Sequence, residues 1–193
     1  MTSESPLLNI IKTGTYGNYE NNETNLITVK EKTNHYIYQV AQYKNSTFNI
    51  DILKIDNLEF PKKVLEVKDN NNIRILWNGP KNWLLIFKSK DLINKLNEID
   101  KNNFAVSDLS HTRAIIELKG KNSREVLKKG CPFNFNDFKK NNSVNSVFNG
   151  IAVTIDMIDD NPFKIDLYVL RSFGESFFHS ITDACLEFGY KID

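Results

Sequence analysis

Asp108, Ser110, His111 and Arg113 fall within one short stretch, Ser107-Asp-Leu-Ser-His-Thr-Arg113. These are the side-chain types of nucleophilic catalysis: a hydroxyl to attack, an imidazole to take its proton and a carboxylate to orient the imidazole. Their spacing works against that chemistry, because neighbours in one extended loop point apart, whereas a triad must converge. The stretch reads instead as a turn. Asp108 and Ser110 are expected to bond local amides, and Arg113 to pair with Asp108 or with a carbonyl edge across the turn. Cys131 is a second candidate nucleophile, but it follows a predicted helix C-terminus, where the dipole opposes thiolate formation. Cys131 and Cys185 have no CxxC spacing, and His35, His111 and His179 share no ligand spacing, so no metal site is assigned. Lys119-Gly-Lys121 lacks the glycine pattern of a phosphate loop, and no GxGxxG occurs. No catalytic, cofactor-binding or metal-binding residue is therefore assigned to the chain.

Only four of its 25 cationic side chains are arginine: Arg74, Arg113, Arg124 and Arg171. A rigid, planar, permanently charged fork kept against a lysine-rich background marks positions where a lysine would not serve. Arg124 reads as an ordinary exposed helix residue. In Cys131-Pro-Phe-Asn-Phe135 and Phe138, three phenylalanines crowd a predicted loop, either folded back as a lid on the core, the reading preferred here, or exposed as an apolar interface patch.

The elements that position these residues follow from periodicity. The 193 residues, 40% hydrophobic, suffice for one domain or two small halves. A net charge of +1, from 25 basic and 24 acidic residues, gives no field for nucleic acid or anionic lipid. No apolar run reaches the roughly 20 residues that span a bilayer, and the start has no secretory pattern, so a cytoplasmic protein is expected. Residues 1–24 read as an extended arm and 25–193 as a single α+β domain with two related halves, 25–103 and 104–193. Leu26 to Glu31 and Tyr36 to Tyr43 read as a strand pair around Lys32-Thr33-Asn34, and Phe48, Ile52, Leu53 and Ile55 recur at near-helical spacing. Trp77 and Trp83 sit on a hairpin turning at Gly79-Pro80. A helix from Lys90 to Ile99 follows, capped by Ser89. In the second half come strands near 104–106 and 114–118, a helix opened by the capping pattern Asn122-Ser-Arg-Glu125 and closed by Gly130, and strands near 147–157 and 164–170. The capping box Ser172-Phe-Gly-Glu175 then opens a helix of about 16 residues, with Phe177, Ile181, Ala184, Cys185 and Phe188 on its buried face and Gly189 as a left-handed stop. The fold class is α+β, antiparallel sheets with packed helices.

Taken in order, Trp77-x-Gly79-Pro80-x-x-Trp83-Leu84, Asp108-x-Ser110-x-x-Arg113, Leu118-x-Gly120, Leu127-x-x-Gly130-Cys131-Pro132, Tyr168-Val-Leu-Arg171-Ser172-Phe173 and Glu187-Phe-Gly189 resemble the gamma subunit of heterotetrameric sarcosine oxidase. That family is similar in fold to the folate-binding glycine-cleavage T-protein. The resemblance implies an oxidoreductase complex of alpha, beta, gamma and delta subunits that demethylates sarcosine to glycine, with hydrogen peroxide and, from tetrahydrofolate, 5,10-methylenetetrahydrofolate as products. It also implies that FAD, FMN, NAD, tetrahydrofolate and zinc are held by the partner subunits and none by this chain. With the phenylalanine loop added, the structural or interface candidates are Trp77, Trp83, Asp108, Arg113, Cys131, Phe133, Phe135 and Arg171. The competing expectation is a stand-alone tetrahydrofolate-binding or aminomethyltransferase-like protein, which would bury a carboxylate able to meet a pterin ring.

Overall fold

The structure is a computed structural model that describes residues 5–20 and 25–193. Up to Thr33 the chain forms β1 (Gly14–Tyr16) and β2 (Ile27–Glu31). From Asn34 to His111 it forms β3 (Tyr36–Gln42), β4 (Lys54–Ile55), β5 (Leu58–Glu59), β6 (Val67–Asp69), β7 (Ile73–Gly79), β8 (Asn82–Phe87), α1 (Asp91–Asn97) and β9 (Phe104–Asp108). From Thr112 onward come β10 (Arg113–Lys119), α2 (Ser123–Gly130), β11 (Ser143–Phe148), β12 (Ile151–Asp160), β13 (Phe163–Leu170), α3 (Gly174–Cys185) and β14 (Tyr190–Ile192). The first and third stretches make one compact unit, and Asn34–His111 makes the other.

The contiguous unit is a five-stranded antiparallel sheet in the order β6-β7-β8-β3-β9, with β4 and β5 as a separate hairpin. Leu92, Leu96 and Ile99, from α1 and the turn after it, share a buried cluster with Val40, Ile75, Trp83, Leu85 and Phe87. The Ser89 hydroxyl accepts from the Asp91 amide at 3.3 Å, but α1 opens at Asp91 with Lys90 at its N-cap and no side-chain cap bond, so Ser89 is not the cap expected. Between β4 and β5 the chain takes left-handed backbone at Asp56 and Asn57. There the Asp56 carboxylate accepts from Lys95, Asn72 and Asn70, and those bonds lower its pKa to about 2.

The discontinuous unit is a seven-stranded sheet in the order β1-β14-β2-β10-β13-β12-β11, antiparallel except where β14 runs parallel to β2. One face, carrying Ile27, Val29, Ile116, Leu118, Val153, Ile155, Ile165 and Leu167, packs with α2 and α3. α2 contributes Val126 and Leu127, and α3 contributes Phe177, Ile181, Ala184 and Cys185, the helical spacing read from the sequence. Burial holds the Cys185 thiol up at about 12, so it packs as a small hydrophobe.

Both units follow one connectivity: a first strand (β3 or β10), an excursion, a three-strand meander whose last member pairs with the first strand, a helix (α1 or α3), and a final strand. They differ in one respect. β9 pairs directly with β3, whereas β2 stands between β10 and β14. The segments of shared connectivity begin at β3 and β10.

Several local expectations are corrected. β2 and β3 do not pair with each other: β2 joins β10 and β14, and β3 joins β8 and β9. Alternation reveals an apolar face but not which strand will cover its edge. Residues 48–53 hold only a 3-10 turn, Ile50–Ile52, which the Asn49 side chain caps by accepting from the Asp51 amide, and Lys54–Ile55 belong to β4. Neither predicted capping box forms. Asn122 makes no side-chain cap bond, and α3 opens through a 3-10 turn, Arg171–Phe173, that leaves 12 helical residues. Gly189 does take the left-handed conformation, at φ +72°. Gly130 does not; it is small because a Cβ there would lie 2.9 Å from the buried Phe148 ring. Of the expected arm, residues 1–4 and 21–24 lie outside the described residues. Leu7 is fully buried in the core, and β1 pairs with β14.

Candidate functional site

Arg113 opens β10 opposite Leu170 at the end of β13, and the Arg171 amide donates to the Thr112 carbonyl at 2.8 Å. The chain then turns through Arg171–Phe173 into α3, whose first residue, Gly174, leaves room for Pro6, Leu7 and Ala114, atoms of which lie 3.4–3.5 Å from where a Cβ would stand. The turn holding Pro6 is anchored by the Ser5 hydroxyl, which donates to the Glu31 carboxylate and accepts from the Leu7 amide at 3.0 Å. Burial raises the Glu31 pKa, against the opposing pull of Ser5 and the Arg171 charge. Pro6, Thr112, Leu170, Arg171 and Ser172 line an open groove of about 540 Å³. Leu8, Leu170 and Phe173 are exposed at 60%, 41% and 48%. Among the described residues, the half-buried Arg113 donates only to the Thr112 carbonyl, at 3.4 Å, and hydroxyl, at 3.3 Å. Burial depresses its pKa, and no described carboxylate offsets the charge.

The opposite face of the seven-stranded sheet carries a polar row. Ser143, Asp156, Asp166, Glu117 and Lys30 are successive cross-strand partners on β11, β12, β13, β10 and β2. Asp156 and Asp166 are buried at 0% and 2% exposure. Lys32 donates to Asp166 Oδ2 at 2.5 Å and lies 3.8 Å from Glu117, which Lys164 approaches to 3.1 Å. Asp166 Oδ1 and the Ser143 hydroxyl are buried without a hydrogen-bond partner. Burial raises the Asp166 pKa to about 6; Lys32 opposes that rise, and Asp156 and Glu117 add to it. The chemistry open to this row is retention of a proton up to about pH 6 and electrostatic pinning of neighbouring strands.

The phenylalanine loop folds back on the core. Phe135 and Phe138 are 1% exposed and stack edge-on with Phe133, with centroids 5.1–5.7 Å apart. Cys131 is buried beside them, its sulfur 3.1 Å from the Ser146 hydroxyl. Arg124 is not the exposed residue expected. It donates from Nη2 to the Phe138 carbonyl at 2.7 Å and lies 4.4 Å from the Phe163 ring centroid. Arg124→Ala should therefore lower the unfolding free energy by about 2 kcal/mol. Lys128→Ala, which breaks an exposed pair with Glu125, should cost less than about 0.5 kcal/mol. Urea unfolding of both variants checks the contrast.

Trp77 and Trp83 face each other across the β7-β8 hairpin. Trp83 donates to the Pro61 carbonyl at 2.7 Å and meets Phe60 edge-on. Asp108 accepts from the Ser110 amide at 2.8 Å and hydroxyl at 2.6 Å, and the Ser110 hydroxyl accepts from the Ile37 amide. Burial alone would raise the Asp108 carboxyl, but bonds from Ser110 and Tyr38 outweigh it and hold the pKa below its ordinary value. Sequence-singled residues thus meet in three places: Arg113 with Arg171, Cys131 with Phe133 and Phe135, and Trp77 with Trp83. Sequence reasoning missed the polar row, although Lys164, Asp166 and Tyr168 alternate with Ile165, Leu167 and Val169.

Comparison with known proteins adds a family. No curated protein matches the chain. Among solved structures, the heterotetrameric sarcosine oxidase from Corynebacterium sp. U-96 in complex with pyrrole 2-carboxylate contains a chain of 22% identity. That match has a TM-score of 0.80 and covers 96% of this chain and 95% of the other. The glycine cleavage system aminomethyltransferase T from Bartonella henselae is 11% identical with a TM-score of 0.60, over 88% of this chain and 47% of that one. These likenesses establish a fold shared with the T-protein. The model of the "Sarcosine oxidase, gamma subunit family" matches residues 42–187, so the chain belongs to that family.

Proposed function

We propose that the chain is a non-catalytic, assembling subunit of a heterotetrameric sarcosine oxidase, with alpha, beta and delta subunits as partners. The family match over residues 42–187 carries this reading. In this role the partners hold FAD, FMN, NAD, tetrahydrofolate and zinc and perform the oxidative demethylation of sarcosine. The present chain contributes binding surfaces, and the complex works in the cytoplasm. Trp77, Trp83 and Asp108 shape the surface of the Asn34–His111 unit from within, and Cys131, Phe133 and Phe135 that of the other unit. A stand-alone tetrahydrofolate-binding protein is not favoured by the family match.

Co-expression with the three partner genes and purification through a tag on the flavin-binding partner tests the assignment. The chain should co-elute in a fixed ratio, and omitting it should lower the yield of assembled, active oxidase. Recovery of a fully active oxidase that never includes this chain would remove the reading.

A further inference from the structure

We infer that the corner where β10 begins and β13 ends, beside the open groove, seats an acidic segment of a partner oxidase subunit, with a carboxylate on Arg113 beside a large apolar side chain. The inference rests on the assembly reading and adds the place and the chemistry of the contact.

Charge argues first. A guanidinium offers five donors, and Arg113 uses one nitrogen for two long bonds to Thr112. Half-buried, it has lost part of its hydration, and no described carboxylate replaces it. A planar fork in that state is suited to a carboxylate delivered from outside, which can accept two parallel bonds. Arg171 differs, because it lies in the field of Glu31. Shape argues second. Thr112, which holds Arg113, is also a wall of the groove, and Leu170, the cross-strand partner of Arg113, is another. Phe173, two residues beyond Arg171, and Leu8, two beyond Pro6, are exposed apolar side chains. A free anion would satisfy Arg113 and leave Leu8, Leu170 and Phe173 wet. A polypeptide segment covers both, and a buried aromatic and arginine at the centre of a contact is the usual composition of an interface hot spot.

The test uses the co-expressed complex, captured through a tag on a partner subunit. Arg113→Glu should reduce recovery of this chain about tenfold or more, Arg113→Lys should fall between it and the parent, and Phe173→Glu should reduce recovery about as much as Arg113→Glu. Lys128→Glu, on the exposed side of α2, serves as the control and should be recovered like the parent. Each variant is also melted alone, and Phe173→Glu carries the test if Arg113→Glu fails to fold. Recovery of both variants at the parental level would overturn the inference while leaving the assembly reading intact. Failure of the parent itself to co-purify would instead overturn that reading. A dimer of the isolated chain that Arg113→Glu dissolves would make a second copy the occupant and would also overturn the assignment.

Discussion

Lys32→Met is expected to lower the unfolding free energy by about 3–5 kcal/mol at pH 8, because it leaves a buried carboxylate without its cation. The Asp166 pKa stands at about 6 in the folded protein, above its ordinary 3.8. The folded state therefore binds that proton more tightly than the unfolded state does. The resulting stabilisation is complete below 3.8 and is lost as pH rises through 6. In the parent, Lys32 offsets part of that loss at 2.5 Å. Without it the carboxylate ionises against desolvation and the charges of Asp156 and Glu117, and the deficit of Lys32→Met should widen steadily from pH 5 to pH 8. Adding Asp166→Asn to the Lys32→Met chain should restore most of the stability at pH 8, since the uncompensated charge is then gone. Urea unfolding at the two pH values checks both claims. A deficit independent of pH, or no recovery in the double variant, would mean that Lys32 acts through packing and not through charge.

Gly189→Val should cost roughly 2–4 kcal/mol, the sum of a left-handed backbone that a β-branched residue resists and an overpacked contact. At φ +72° a Cβ on residue 189 would lie 2.8 Å from Tyr19 Cα and 2.9 Å from its backbone nitrogen, atoms that cannot rotate away. The same residue leads into β14, so the strain should loosen both neighbours of that strand. Gly150→Val provides the comparison. Its φ is +83° but nothing lies within 4 Å of the new Cβ, so it bears the backbone strain alone and should cost about half as much. Thermal melts of the pair separate the contact from the conformation. Equal losses would show that the approach of Tyr19 is soft.

The legible parts of the fold were those where one local signal suffices. Gly79-Pro80 between two apolar runs gives the β7-β8 hairpin, and the spacing of Phe177, Ile181, Ala184 and Cys185 gives the buried face of α3. What failed depended on partners far away. Nothing in Leu26 to Tyr43 says that the two strands flanking Lys32-Thr33-Asn34 enter different sheets. The capping pattern at Asn122 lost to a helix start that leaves the asparagine at φ −90°, ψ 1°, where its side chain makes no cap bond. At the candidate site, Arg113 and Arg171 could be singled out because arginine is rare in this chain, and they do share a corner. Arg124 was misread because its two partners, the Phe138 carbonyl and the Phe163 ring, are reached only once the phenylalanine loop is folded. Asp156 and Asp166 gave no signal of their own, since a charged residue on alternate strand positions ordinarily marks a solvated face.

The placement of β14 between β1 and β2 sets an order of assembly. Every strand pairing of the Asn34–His111 unit is made inside one continuous stretch, so that sheet can close early from contacts of short sequence separation. The parallel pair of Tyr190 with Ile27 joins positions roughly 160 residues apart, a separation of the kind that slows folding through loop-closure entropy. A refolding experiment should accordingly resolve two phases. Protection of the Trp77-Trp83 hairpin amides should arrive in the fast one, and that of the β14 amides in the slow one.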